Sequence, residues 1–204
     1  MAEVRIRSSH FQNIPLLETL GFRLVDSRLE FRTSTTRQDY SVAAPFGVLR
    51  WFNDSDWPEV CQLTDAQFAG NSSFKSRYNS REYFSFDESK RYFTQWNQRV
   101  LDSVSPMFCI WEHECQVVGF YSVLRQATES PIPEYKVGLA AVKPELAKHG
   151  MANVMQYWIF QHAPDKEFTV INSPALTNLA GLKNNIRASK NLSHVEAFLF
   201  RKPK

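Results

Sequence analysis

Between Tyr135 and Ala163 the chain runs from an apolar stretch, through a loop centred on one glycine, into a segment with helical periodicity. Val137, Leu139, Ala140, Ala141 and Val142 lead up to Lys143-Pro144, where the missing proline N–H ends any strand ladder. Glu145-Leu146-Ala147-Lys148-His149-Gly150 follows. Met151, Val154, Met155, Trp158, Ile159 and His162 then recur at the 3.6-residue spacing of a helix with one buried face. A helix that opens at a small-residue loop has free N–H groups in its first turn. With the positive end of the dipole, they favour a polyanion such as a pyrophosphate. An ordinary strand–loop–helix connection fits the same residues, because one Gly and one Ala make a weak glycine loop.

The chain has 204 residues, 43% of them hydrophobic and 22% charged, enough for one sizeable core and a small appendage. Sixteen Phe and five Trp suit a thick α/β core or an aromatic-lined cleft. No apolar run approaches the length of a membrane span, and the charged start Met1-Ala2-Glu3-Val4-Arg5 lacks a signal-peptide pattern. Cys61, Cys109 and Cys115 have neither metal nor redox spacing and read as free thiols in a cytoplasmic protein. The net charge of +3 is interleaved, with no basic stripe for nucleic acid. His10, His113, His149, His162 and His194 form no ligand cluster in the sequence, so no metal site is expected.

Two blocks are visible. Residues 1–40 read as a small N-terminal β-α-β lobe: a strand near Val4–Arg7, a helix ending at Leu20-Gly21, and a strand Phe22–Phe31. Thr33 to Asp39 is polar and reads as a linker. Residues 41–204 form the main domain. It opens with strand Val48–Phe52 and a helix capped by Asn53-Asp54-Ser55-Asp56. A long loop from Gly70 to Phe86 leads to a second helix capped by Asp87. Strands Met107–Trp111 and Val117–Leu124 precede the segment described first. Strand Phe168–Asn172, helix Leu176–Ser189 and strand Val195–Arg201 end the chain. This order predicts a mixed, twisted sheet covered by helices. The first block repeats the strand–helix–strand order of Ile171 to Arg201, by duplication or by coincidence.

Particular residues carry a resemblance beyond this order. They are Ser72-Ser73-Phe74, Tyr92-Phe93 with Gln95-Trp96, Gly138 to Val142, and Asn178 with Gly181-Leu182-Lys183. With Gly150 and Ala152, they make Val48 to Lys202 resemble the GNAT acyltransferases, whose coenzyme A loop is written Gln/Arg-x-x-Gly-x-Gly/Ala. Ala147 stands where that loop has Gln or Arg. Within the superfamily the chain looks most like nucleotide-sugar N-acyltransferases of the dTDP-fucosamine acetyltransferase kind, and Leu16 to Val25 resembles their leading lobe.

The resemblance implies a GNAT-type, mostly antiparallel twisted sheet flanked by helices. It implies acetyl-CoA as acyl donor and the amine of a nucleotide-linked amino sugar as acceptor, feeding surface-polysaccharide synthesis. Another small amine, or coenzyme A binding without catalysis, is the alternative, and a homodimer is left open. Backbone of Leu139, Ala140 and Val142 would hold the pantetheine. Amides of Lys148, His149, Gly150, Met151 and Ala152 would hold the pyrophosphate, with Lys143 and Lys148 near the outer phosphates. Asn178 either bonds the coenzyme or only caps its helix. Asn185 falls where the family carries the Tyr that protonates the leaving thiolate; an amide cannot release that proton. Glu134, Asp87 and Glu112 are the carboxylates considered as base. Ser73, Phe74, Arg77 and Tyr78 (or Tyr83) belong to the loop expected to recognise the acceptor, Arg77 by its bidentate fork on a diphosphate. Asn172 is expected on the same side.

Overall fold

Side chains alternate across a strand, so one apolar run can feed two layers. Met107, Cys109 and Trp111 enter one core cluster while Phe108 and Ile110 enter another, and all five are buried. That run is therefore a strand covered by helices on both faces.

The computed structural model describes residues 1–37, 44–70, 76–126, 128–187 and 191–202. In chain order the elements are β1 (Ala2–Arg7), α1 (Ile14–Thr19), β2 (Arg23–Thr36), β3 (Val48–Trp51), α2 (Trp57–Thr64), α3 (Phe86–Leu101), β4 (Met107–His113), β5 (Gln116–Gln126), β6 (Glu134–Val142), α4 (Met151–Gln161), β7 (Glu167–Asn172), α5 (Leu179–Arg187) and β8 (Asn191–Arg201). The eight strands form one sheet in the order β1-β8-β2-β7-β6-β5-β4-β3, antiparallel throughout except where β6 meets β7. Helix α4 closes one face with Met151, Met155, Ile159 and Phe160. Helices α2 and α3 close the other with Val60, Leu63, Phe93 and Val100. No helix among the described residues is long and apolar enough to cross a membrane.

The strands of the first forty residues join this same sheet. β2 lies between β8 and β7, and β1 forms the edge beyond β8. The order β1-β8-β2-β7 is unchanged when β1 is exchanged with β7 and β2 with β8. The two strand–helix–strand units that share an element order in the sequence therefore interleave their strands in the sheet.

Two local readings need correction. Thr33–Thr36 is not linker: these residues pair with Val170 to Glu167 as the end of β2, where β-branched Thr suits a pleated surface despite its polarity. The cap of α3 is Ser85, whose side chain accepts from Glu88 N–H while Glu88 bonds Ser85 N–H. Asp87 sits one residue inside the helix.

Candidate functional site: a split between two parallel strands

β6 and β7 pair for only three residues, Glu134–Lys136 against Thr169–Ile171, and then part. The cause lies on the other edge of β6. Tyr121 faces Ala140 and Val123 faces Val137, so Gly138 and Leu139 together oppose Ser122. Such a bulge bends its strand. The Ser122 hydroxyl fills it, accepting from Leu139 N–H at 2.9 Å and donating to Leu139 C=O at 3.0 Å. Gly138 is required there, because a Cβ would stand 2.5 Å from Ser122 Oγ.

The opening is a cavity of about 330 Å³. Its walls include Val137 to Ala140 of β6, Ala152 and Gln156 of α4, Asn172 at the end of β7 and Ser173 to Ala175 after it. Lys143 N–H donates to Val118 C=O, so by alternation Lys143 and Ala141 turn their main chain toward β5. Ala140 and Val142 turn theirs toward the open side, where Gln67 Nε2 reaches Val142 C=O at 3.2 Å. Leu139 is different: both of its main-chain groups are taken by Ser122.

After β6, Pro144–His149 forms a tight 3-10 turn that ends at Gly150 with φ +69°. Gly150 is needed for that left-handed backbone, and the space beside it is open. It is also the N-cap of α4, so no side chain caps the helix. Asn153 N–H folds back on Gly150 C=O, whereas Met151 and Ala152 are first-turn donors with no intrahelical acceptor. Lys143 Nζ bonds Gln116 Oε1 at 2.9 Å, and the His149 ring packs edge-on against Phe46, centroids 5.2 Å apart. The backbone of Lys148 lies in the 3-10 turn.

Two asparagines, Asn178 just before α5 and Asn185 within it, complete this side. Asn178 Oδ1 accepts from Gly181 N–H at 2.9 Å, so the capping role is real, and the residue also lines the cavity. Asn185 is fully buried and lines the cavity. Its Nδ2 donates to Gly181 C=O at 2.7 Å, while Oδ1 has no partner among the described residues.

The residues expected on the acceptor side are distributed differently from the sequence reading. Ser73 and Phe74 lie outside the described residues. Tyr78 lines the cavity, stacked on Tyr92 with ring centroids 3.6 Å apart. Asn172 lines it too. Arg77 is not in the cavity wall. It is buried between the Phe198 and Tyr78 rings, paired with Asp26 and Glu3 at 3.3 Å each. Tyr83 packs on Phe200. Of the carboxylates, Glu134 is held by Arg32 at 2.6 Å and Glu112 by Arg50 at 2.8 Å. Asp87 is exposed at the start of α3.

Sequence reasoning missed Ser122, Arg28 and Lys136. Ser122 is a small polar side chain inside a largely apolar run, which was the available signal. Arg28 reaches the cavity because β2 inserts beside β7, a contact that no local pattern announces, and Lys136 reaches it from β6 itself. Glu30, His194 and Glu196 bring ligand-type atoms within 4.8 Å of one another. Each carboxylate of that trio already holds an arginine, Arg32 on Glu30 at 2.9 Å and Arg5 on Glu196 at 2.8 Å. Burial raises the Glu196 carboxyl, but the bonds from Arg5 and His194 outweigh it and hold the group below its ordinary range.

No family model matches the sequence, and no curated protein matches it. The fold, however, recurs in solved structures. A GCN5-related N-acetyltransferase from Sphaerobacter thermophilus superposes with a TM-score of 0.59 at 17% identity, covering 97% of this chain and 58% of that one. A tandem GNAT protein from the clavulanic acid biosynthesis pathway gives 0.58 at 14% identity, covering 97% and 62%. A GCN5-related N-acetyltransferase from Kribbella flavida gives 0.58 at 9% identity, covering 99% and 68%. The chain thus has the fold of the GNAT acetyltransferases and spans less than two thirds of the first of these neighbours.

Proposed function

We propose that this chain is an acyl-CoA-dependent N-acyltransferase, moving an acetyl or related acyl group to the amine of a nucleotide-linked amino sugar. One observation carries the reading: β6 leaves β7 after Lys136 and Ile171, and the opened edge leads directly to the uncapped start of α4. An unpaired strand edge can bond an extended amide chain, and uncapped first-turn donors suit a pyrophosphate. Coenzyme A contains both, in that order.

In the reaction the amine nitrogen attacks the thioester carbonyl. The C–N bond forms, the C–S bond breaks, the amine gives up a proton and the departing thiolate gains one. Ala140 offers its N–H on the open side, where it can hold the thioester carbonyl and the oxyanion that develops from it. By the family resemblance Asn185 takes the position of the acid that would serve the sulfur, and its amide can only hydrogen-bond the thiolate. The proton then comes from water, which a thiol of pKa near 8.5 tolerates as leaving group. Glu134 and Glu112 are tied to arginines, so neither is assigned as a dedicated base.

The test is thiol release from acetyl-CoA against a panel of dTDP-, UDP- and GDP-amino sugars. Turnover of one of these supports the proposal. Turnover only of peptides or polyamines moves the acceptor elsewhere. The fully buried Asn185 in place of an acid also favours a second reading, a coenzyme A binder without transfer. Thermal stabilisation by coenzyme A with no turnover of any amine would select it.

A further inference from the structure

The wall of the cavity carries two cations with too few partners. Arg28 lines it, with its side chain 19% exposed. Its only hydrogen bond among the described residues is a long one, Nε to Asp26 Oδ2 at 3.4 Å. Asp26 also serves Arg77 at 3.3 Å, so two guanidinium groups share one carboxylate. Arg28 therefore keeps its two terminal nitrogens, four N–H donors, without acceptors among the described residues.

Lys136 is half-buried in the same wall and makes no hydrogen bond or ion pair among the described residues. Glu30 and Glu196 face it, but Arg32 binds the first, and Arg5 and His194 bind the second. Burial, then Arg5 and Arg28, push its ammonium below the ordinary lysine range against those two carboxylates. A fold does not gain from bringing two cations into one pocket with their donors unused. A ligand with a negative charge would use them.

The pyrophosphate of coenzyme A is not that ligand. From Lys136 to Val142, where the loop toward α4 begins, the strand covers about 20 Å. Tyr78 and Tyr92, stacked on the same wall, add a flat surface for a sugar or a base.

We infer that Arg28 and Lys136 form an anion-binding subsite for the acceptor, so that the acylated amine belongs to a molecule bearing a phosphate, diphosphate or carboxylate. The inference rests on the acyltransferase reading for the word acceptor, but not for the anion site itself. A sugar diphosphate, a sugar monophosphate and an amino acid share the required chemistry.

The experiment has matched arms at fixed acetyl-CoA: a dTDP-amino sugar, glucosamine 6-phosphate and glutamate, against glucosamine and spermidine. Turnover is expected in the anionic arms alone, and the best of them names the anion. Lys136→Met keeps the aliphatic stem and removes the charge. It should raise the acceptor KM at least tenfold, leave the KM for acetyl-CoA within twofold, and keep the thermal midpoint, since no partner is lost. Equal turnover of spermidine, or an unchanged acceptor KM in Lys136→Met, overturns the inference while the acyltransferase reading stands. Calorimetry with dTDP on coenzyme A-saturated protein gives a second readout. Heat in the wild type that is lost in Lys136→Met supports the subsite even if no amine is acylated, in which case the transfer reading alone fails. No heat in the wild type and no anionic acceptor turned over sinks the subsite.

Discussion

Ser122 holds both main-chain groups of Leu139 with one hydroxyl, at 2.9 and 3.0 Å, and so fixes the bulge at which β6 turns away from β7. Ser122→Ala would leave a buried N–H and C=O unpaired, a cost of about 1–3 kcal/mol. Urea unfolding should show that loss. On the proposed acyltransferase reading the KM for acyl-CoA should rise more than the acceptor KM, because the bulge would shape the donor half of the cleft.

Gly138→Ala pushes a methyl group to 2.5 Å from Ser122 Oγ. The variant should be destabilised by about 1–3 kcal/mol, the usual cost of overpacking. Adding Ser122→Gly removes the Oγ and with it both the clash and the bonds to Leu139, so the double variant should lose less than the two single variants summed. The carbonyl oxygen of residue 122 remains 3.1 Å from the new Cβ, which keeps part of the crowding in the double variant. Denaturant midpoints of the two single variants and the double variant measure the coupling directly.

Asn185 stands beside the cavity, its Oδ1 unpartnered among the described residues. If proton supply to the thiolate limits the reaction, Asn185→Tyr should raise kcat by roughly 10- to 100-fold, at or below the low end of what a positioned acid contributes. Steady-state thiol release decides it. An unchanged kcat with intact binding would place the slow step elsewhere.

Arg50 grips Asp56 with two bonds of 2.7 and 2.8 Å and bonds Glu112 as well. Burial raises the Asp56 carboxyl, but the Arg50 bonds, the Asn53 N–H and the Arg50 charge together bring it below its ordinary value of 3.8. Asp165 is lowered likewise, chiefly by Arg125, with burial opposing and the Tyr135 hydroxyl helping. Both groups bind their protons less readily folded than unfolded. Their stabilisation is thus present above about pH 4 and lost as the pH falls through the native values. Asp56→Asn should cost about 2 kcal/mol at pH 7. The gap to wild type should narrow by pH 3, as chemical denaturation at the two pH values would show.

The β4–β5 hairpin turns on Glu114 and Cys115, at φ +50° and +59°, a type I′ geometry that favours an Asn followed by a Gly. Combining Glu114→Asn with Cys115→Gly should therefore stabilise the chain by about 1 kcal/mol, because the new pair adopts this backbone with less strain. Thermal midpoints check it.

Much of this architecture was legible because the period of the apolar residues says which element each segment forms. Met107–Trp111 and the stripe from Met151 to Ile159 both became the elements their patterns predict. The pairing of β2 with β7 was not legible, since Thr33–Thr36 is polar and its partner lies near the other end of the chain. The loop at Gly150 and the cap at Asn178 were legible because both have local signatures. The burial of Arg77 was not: an arginine in a polar loop looks solvent-facing until Asp26, Glu3 and Phe198 come from distant strands to enclose it. Ser122 was hidden by the same logic, as its role depends on a register shift in the neighbouring strand.

The central claim is that the gap between β6 and β7 receives the acyl donor, and a crystal of the chain grown with acetyl-CoA tests it most directly. The pantetheine is expected along the open edge of β6, with the thioester carbonyl within hydrogen-bonding distance of Ala140 N–H and the pyrophosphate at the Met151 and Ala152 amides. A coenzyme bound elsewhere, or a saturated crystal whose gap holds only solvent, would contradict it.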